Sequence, residues 1–156
     1  MPARVAPAVF DVYDAVLAGM RSRLAGWNVC DGYPVTSDPS DFVAVGVSDP
    51  FSSSAAPSAQ YAADWNSASC RTLDESGEVT VVAVAVDGGG DPAPPRDRIR
   101  ALVTLVDEWL RSVPAPFGLP YIWQVRLSSV AIEQDQTTAE GALCIAVLTI
   151  AYRARI

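Results

Sequence analysis

The sequence predicts an α/β (α+β) domain in which two main helices pack on a mixed, mainly antiparallel β-sheet, in the order α-β-β-β-β-α-β-β. Three observations predict this fold. Two segments carry apolar residues at helical spacing, four short β-type segments lie between them, and a long hairpin pattern closes the chain. Half of the 156 residues are apolar, which is enough for a packed interior without disulfides or metals. We therefore expect a single domain over residues 1–156.

Both helices are predicted from apolar residues that recur every three or four positions. The first covers residues 7–25, ends near Gly26, and has the stripe Val9, Tyr13, Val16, Leu17, Met20 and Leu24. The second opens at Pro94, stops before Pro114, and has the stripe Ile99, Leu102, Val103, Val106, Trp109, Leu110 and Val113. Trp109 lies on this stripe, so we expect it in the core.

The β-type segments between the helices are residues 27–30, 42–47, 61–65 and 78–86. Residues 42–47 alternate Val43, Val45 and Val47 on one side with Phe42, Ala44 and Gly46 on the other, and small residues on one face are typical of a strand packed under a helix. Residues 78–86 follow a predicted turn at Ser76-Gly77 and are apolar on both faces, so we expect this strand at the centre of the sheet. Residues 48–58 contain two prolines and a serine run and predict a mobile loop that carries Phe51.

The C-terminal third predicts a long β-hairpin. One face of its first strand is formed by Tyr121, Trp123, Val125 and Leu127. We expect Trp123 in the core, and a bulge near Ser128-Ser129, where the apolar residues change phase. Residues 134–140 are predicted as the connection to a returning strand over residues 141–155, in which Cys144 behaves as a small hydrophobe. Two helices cannot cover so much sheet, so we expect another copy of the chain to cover the rest.

Charge and hydropathy restrict the partners. Eleven basic residues, all arginine, stand against 18 acidic ones, for a formal net charge of -7. A surface that binds duplex DNA needs clustered cations, so we expect no sequence-specific nucleic-acid binding. The longest apolar run, residues 142–151, is far shorter than the roughly 20 residues of a membrane span, so we expect a soluble protein. Asp11 and Asp14 interrupt any signal-peptide core, and three widely spaced cysteines favour folding in a reducing cytoplasm.

The sequence offers little catalytic chemistry. It has no histidine and no lysine, which excludes Ser–His–Asp, Cys–His, Schiff-base and Walker-type mechanisms. Asp87 and Asp91 flank three glycines, and further aspartates lie within residues 31–41. Turn formation accounts for both groups better than Ca²⁺ or Mg²⁺ binding, because neither has the alternating order of a calcium loop. Residues 88–90 match a phosphate-binding loop only weakly. We expect no catalytic residue, no cofactor and no metal.

The candidate subunit-interface residues are Phe51, Trp65, Arg96, Arg98, Arg100 and Asp135. The three arginines form a basic patch at the start of the second helix. This patch either stays solvated, with Asp91 and Asp97 as partners, or docks an acidic surface of a neighbouring subunit. Phe51 has no evident core to join, and Trp65 lies at a strand end, where core and interface are equally expected. Asp135 lies in the predicted hairpin connection.

Several segments resemble one protein family in their order and spacing. After an opening helix come DGYPVTSDPSDFVAVGV, YAADWNSAS, RTLDESGEVTVVAVAVDGGGD, RDRIRALVTLVDEWL and a hairpin ending in EQDQTTAEGALCIAVLTIAYRARI. Over nearly its full length the chain is similar to the tail terminator proteins of long-tailed bacteriophages, particularly those of actinobacterial phages. The likeness is one of order and spacing and includes no invariant catalytic motif.

This resemblance implies a subunit of a hexameric ring at the head-proximal end of the tail tube, which ends tube polymerisation and offers a surface to the head-completion or neck protein. The partners would be other copies, the major tail tube protein and the neck protein, in a virion assembled in the host cytoplasm. The family has no catalytic residues to carry over. Its loops and hairpins supply tube and neck contacts, here residues 48–58 and 134–140. Acidic residues facing the bore would let DNA pass, because like charges repel.

Three other functions stay open at this point. A head–tail connector or stopper protein of the same neck would have a similar size and charge. A metal-dependent hydrolase would use the aspartate turns, and calorimetry with divalent cations would reveal it. A cellular domain that binds a small molecule or a peptide would be a stable monomer with one deep pocket.

Overall fold

The computed structural model describes residues 6–35, 40–52, 57–65, 72–112, 116–137 and 141–156. The elements in these ranges are α1 (Ala8–Arg23), β1 (Asn28–Asp31), β2 (Phe42–Val45), β3 (Ala59–Trp65), β4 (Leu73–Asp87), α2 (Ala93–Ser112), a 3-10 helix (Pro116–Gly118), β5 (Ile122–Thr137) and β6 (Gly141–Arg155). Their order is the predicted α-β-β-β-β-α-β-β, so the predicted fold class is confirmed. Val113, the last residue of the predicted second stripe, lies outside the described residues.

The six strands form one sheet in the order β1-β2-β4-β6-β5, and β3 also pairs with β4. β1 is parallel to β2, and the other pairs are antiparallel, which confirms the mixed, mainly antiparallel sheet. β4 pairs with β6 along one edge, and with β2 and β3 along the other. The predicted central strand is therefore central, because both of its edges are hydrogen-bonded and both faces of its second half are apolar.

The main core lies between one face of the sheet and both helices. Every second residue of β4 and β6 faces this layer, as the period of a strand requires. The buried strand residues on this face include Val43, Val45, Val79, Val81, Ala83, Ala85, Ala146, Leu148 and Ile150. Trp109 of α2 is only 6% exposed, which confirms its predicted place in the core. Cys144 is fully buried there, as predicted.

The opposite face carries no helix in the described part of the chain, and we call it the open face. A smaller apolar cluster covers one half of it, formed by Ala44, Val47, Val82, Val84 and Val147. The other half carries mainly polar side chains, including Gln60, Ser76, Gln124, Arg126 and Arg153. The two helices therefore shield one face only.

The predicted turn at Ser76-Gly77 is wrong, because β4 runs through both residues without interruption. Gly77 pairs with Tyr61 on one side and Tyr152 on the other. A Cβ atom on Gly77 would lie 2.5 Å from both the Gln60 carbonyl oxygen and the Tyr152 hydroxyl. The glycine is thus explained by close packing within a strand.

The predicted alternation in residues 42–47 is wrong at its end. Val43 and Val45 face the helices, but Val47 joins Ala44 on the open face. Gly46 has a φ of +70°, and a Cβ there would lie 2.0 Å from the Tyr13 ring. This left-handed residue turns the chain and exchanges the faces. Val43 and Val45 therefore lie under the helices, and Phe42 and Ala44 lie on the open face.

The hairpin differs from its prediction at both ends. A bulge between Leu127 and Ser129 is confirmed, and a second one lies between Ile122 and Gln124. The predicted connection over residues 134–140 is too long, since β5 continues to Thr137 and β6 begins at Gly141. Residues 138–140 lie outside the described residues, as do residues 53–56 of the predicted loop. This end of β5 is exposed and carries polar side chains, as a loop would. The sequence therefore did not show where the strand ends and the connection begins.

A buried carboxylate fixes the start of α1 to the sheet. Glu75 of β4 is 2% exposed, and its two oxygens accept the backbone N–H groups of Ala8 and Val9, each at 3.0 Å. The Tyr152 hydroxyl donates to the same carboxylate at 2.5 Å. The first N–H groups of a helix lack partners within it and carry partial positive charge. Glu75 therefore acts as a helix cap supplied from a distant strand.

We expect Glu75→Gln to lower the free energy of unfolding by about 2–3 kcal/mol, because it removes a charged acceptor and turns an amide N–H₂ towards backbone donors. Urea denaturation monitored by circular dichroism measures the loss. Glu78→Gln on the same strand is the matched control and should change the free energy by less than about 0.5 kcal/mol, since Glu78 is partly exposed. Equal effects of the two substitutions would contradict the capping role.

Tyr13 joins α1 to the first two strands. Its hydroxyl donates to the Asp31 carboxylate of β1, and the Val45 carbonyl oxygen lies 3.1 Å away. Burial, followed by the hydrogen bond to Asp31 and the negative charges of Asp31 and Asp14, raises the pKa of Tyr13 to about 12. Each of these effects favours the neutral phenol.

The unfolded chain ionises Tyr13 near the ordinary pKa of 10.0, below its folded value of about 12. The stabilisation linked to this residue is therefore fully present below pH 10.0 and is lost as the pH rises towards about 12. Urea denaturation at a series of alkaline pH values should show a smaller decline for Tyr13→Phe than for the natural chain. Identical declines would show that Tyr13 titrates normally.

Candidate subunit interface

One half of the sheet has an open strand on each side. In this half β3 pairs with the first part of β4, β4 with the end of β6, and β6 with the start of β5. Among the described residues, no strand pairs with the outer edge of β3 or of β5. Open edges present backbone N–H and C=O groups that another strand can bind. These two margins are the candidate interface.

The hydrogen-bond pattern identifies the backbone groups at each margin. The Thr80 N–H donates to the Ser58 carbonyl at 3.0 Å, and the Arg155 N–H donates to the Tyr121 carbonyl at 2.9 Å. Since hydrogen-bonded pairs alternate along an antiparallel ladder, these two bonds and the registers fix which residues point outward. The outward residues are Ala59, Tyr61, Ala63 and Trp65 on β3, and Val125 and Leu127 on β5.

The β3 margin exposes large aromatic side chains. Tyr61 is 48% exposed and Trp65 is 67% exposed, and both pair with β4 residues that face the helix side. From Gln60 to Trp65 every residue of β3 is exposed, so this strand packs little within one chain. Exposed Tyr and Trp residues of this kind are enriched where proteins bind each other. Trp65 therefore lies at an open margin. The sequence had left both the core and an interface open for this residue.

At the β5 margin the structure contradicts the prediction for Trp123. It was expected in the core, but it is 53% exposed. The bulge between Ile122 and Gln124 leaves Trp123 as the extra residue, so Ile122 is buried and the indole turns outward. The Arg153 guanidinium lies 5.6 Å from the centre of its ring, a cation–π contact that holds the side chain at the edge.

A polar groove of about 450 Å³ crosses the open face between the margins. Its lining residues include Gln60, Ser76, Glu78, Gln124, Arg126 and Arg153. The Gln60 amide donates to the Glu78 carboxylate at 3.3 Å on the β3 side. Arg126 and Arg153 lie on the β5 side. The charge of this half of the sheet thus runs from negative beside β3 to positive beside β5.

The other predicted interface residues lie away from these margins. Phe51 is 36% exposed in the segment before β3, where its N–H donates to the Asp49 carboxylate at 2.8 Å. Asp135 is exposed near the far end of β5, and its carboxylate accepts the Gln136 N–H at 2.8 Å. In the described part of the chain, no hydrogen bond or ion pair joins any two of the six candidates. They do not form one site.

The three arginines of the predicted basic patch separate. Arg96 and Arg100 are exposed, and Arg100 pairs with Asp97 at 3.3 Å, as predicted for a solvated face. Arg98 instead forms a two-pronged ion pair with Asp41 at 2.6 and 3.1 Å and donates to the Val86 carbonyl at 2.7 Å. Asp41 also accepts the Val86 N–H at 3.0 Å. The Arg98 guanidinium is therefore used to hold α2 on β4.

The described residues carry little chemistry beyond binding. No group of three or more Cys, Asp or Glu side chains among them could hold a metal ion. The turn interpretation of Asp87 and Asp91 is confirmed, because their carboxylates accept the N–H groups of Asp91 at 3.3 Å and Ala93 at 2.9 Å. Burial raises the pKa of the Cys144 thiol, partly offset by Arg96, so this cysteine is a poor nucleophile.

Sequence reasoning missed several residues of the margins. Tyr61 was recognised as a strand residue, but its exposure depends on having no strand beyond β3. Asp64 and Arg126 are isolated charges with no motif around them. The one available signal was the charged Asp64 beside Trp65 in β3, since a fully buried strand is nearly continuously apolar.

Comparison with protein-family models found no match, and comparison with curated proteins found none. Within the described residues, no helix is long and apolar enough to cross a membrane. The function must therefore be inferred from the fold, the open margins and the resemblance in the order of segments.

We expect Arg98→Ala to lower the free energy of unfolding by about 1–2 kcal/mol, because it leaves the Asp41 carboxylate without its charged partner. Arg96→Ala and Arg100→Ala are matched controls and should change it by less than about 0.5 kcal/mol. Thermal or urea unfolding of the three variants checks this order. A stability loss for Arg96→Ala as large as that for Arg98→Ala would contradict it.

Proposed function

We propose that the chain is a structural subunit of a bacteriophage tail, a tail terminator that forms a ring at the head-proximal end of the tail tube. The ring ends tube polymerisation and provides the attachment surface for the head and neck. The observation that carries this proposal is the pair of open sheet margins on opposite sides of one domain. A subunit with two different open margins can bind a neighbour on each side, which is how rings are built.

The side-chain chemistry supports assembly over catalysis. The chain has no histidine and no lysine. In the described residues, Asp41 and Asp74 form ion pairs with arginine, and Asp87 and Asp91 support a turn. These four carboxylates are engaged within the fold and are not a free general acid–base pair. These features favour a function in binding over one in catalysis.

The tube and neck contacts belong to segments outside the two margins. Phe51 lies in the segment that connects β2 and β3, and the end of the β5–β6 hairpin carries Asp135. Glu133 and Asp135 are exposed on the open face of β5. Together with the net charge of -7, they keep the surface from binding DNA that passes through the ring. The protein is made in the host cytoplasm and resides in the virion.

Tube assembly tests this function directly. The chain is produced together with the major tail tube protein that the proposal expects to be encoded beside its gene, and tube lengths are measured by negative-stain electron microscopy. A terminator gives short tubes with a ring at one end, whereas tubes made without it grow long. Equal length distributions with and without the chain would refute the proposal. Binding to portal-containing heads with no effect on tubes would instead identify a head–tail connector or stopper.

Two exposed phenylalanines provide a matched pair for the contact surface. We expect Phe51→Ala to raise the concentration needed for half-maximal tube capping by about tenfold, the size of a typical aromatic anchor. Phe10→Ala, on α1 and 62% exposed, should leave it unchanged. Titration of each variant into the tube assembly reaction measures both values. Equal capping by the two variants would exclude the Phe51 segment from the contact.

A further inference from the structure

We propose that β3 of one copy of the chain pairs antiparallel with the start of β5 (residues 122–127) of the next copy, so that neighbouring subunits share one continuous sheet. This inference rests on the proposed function and specifies how the subunits of the ring are joined. The register places Asp64 of one copy opposite Arg126 of the next.

Strand direction permits this junction. Along β3, β4, β6 and β5 each strand is antiparallel to the one before it, so β3 and β5 run in opposite directions. A β5 strand placed beside β3 of the next copy therefore continues the alternation. The outward-bonding residues on both margins, such as Ala63 and Leu127, carry side chains on the helix side. The joined sheets consequently keep their helices on the same face, as hydrogen-bonded pairs require.

The side chains at this register are complementary on both faces. On the helix side Trp65 lies opposite Val125, an aromatic and β-branched pair of the kind that stabilises antiparallel strands. On the open face the carboxylate of Asp64 meets the guanidinium of Arg126. Both charged residues are exposed, and no ion pair or side-chain hydrogen bond engages either of them in the described part of the chain. The junction supplies the partner that each lacks.

The charges of the two margins favour pairing of β3 with β5 over pairing of either margin with its own copy. The open face is acidic beside β3, with Asp64 and Glu78, and basic beside β5, with Arg126 and Arg153. Pairing β5 with β5 would bring two basic margins together, and pairing β3 with β3 would bring two acidic ones, which is unfavourable in either case. A junction between β3 and β5 is also heterologous, so it can repeat around a ring, whereas a twofold pair closes after two copies.

Charge reversal tests this junction by sedimentation velocity over the full range of soluble concentrations. We expect Asp64→Arg and Arg126→Asp each to weaken self-association by about tenfold, because each places like charges at the junction. Asp14→Arg, the same charge change on an exposed position of α1, is the matched control and should associate as the natural chain does. Circular dichroism confirms that each variant is folded.

Mixing the two defective variants is the decisive measurement. In an equimolar mixture, the arginine introduced by D64R can meet the aspartate introduced by R126D, and the unchanged Asp64 and Arg126 can meet at the next junction. Association should therefore return to within about threefold of the natural chain, and the double variant D64R/R126D should recover equally. A twofold pair of like margins already places like charges together in the natural chain, so neither single variant would weaken it.

Three results would overturn the junction. They are a natural chain that stays monomeric at every concentration, single variants that associate normally, and a mixture that does not recover. The tail function is judged separately by tube capping. If the chain caps tubes while D64R and R126D cap them equally well, the terminator role stands and the pairing of β3 with β5 is wrong.

Discussion

The pairing of β4 with its neighbours holds the rest of the molecule in place. β6 lies along one edge of β4 from Asp74 to Asp87, while β2 and β3 divide the other edge between them. Both helices pack on the face that β4 and β6 present through Val79, Val81, Leu148 and Ile150. Because the backbone of β4 is satisfied on both edges, every edge that remains open belongs to an outer strand. The location of the proposed interface follows from this arrangement.

A polar group buried beside β4 must have its hydrogen bonds supplied by neighbouring groups. Glu75 is almost fully enclosed, and it is tolerated there because two helix N–H groups and the Tyr152 hydroxyl supply its hydrogen bonds. Two positions further along, Gly77 leaves room for the Tyr152 ring to reach that carboxylate. The start of α1, the middle of β4 and the end of β6 thus depend on one small polar cluster. It ties the helix layer to the same half of the sheet that carries the open margins.

The open margins connect this architecture to the proposed assembly. Hydrogen bonding among β3, β4, β6 and β5 orders the outer rows of backbone groups, which lowers the entropy lost when a partner strand binds. Tyr61, Trp65 and Trp123 add large apolar contacts at those rows, and Asp64 and Arg126 give the two rows opposite charge. Backbone pairing supplies affinity, and side chains supply the choice of partner. The proposed structural subunit, which must join copies in one orientation, needs both.

The sequence by itself determined the features that repeat over short distances. The 3.6-residue stripe of α2, the apolar second half of β4 and the phase change at Ser128-Ser129 are all local patterns, and each was found where predicted. Only the tertiary structure decided that Trp123 is exposed, that Gly77 lies within a strand and that Arg98 forms an ion pair. These depend on a bulge facing β6, on Tyr152 and on Asp41, partners remote in the chain. Periodicity reports which face a residue occupies, but not which distant group covers that face.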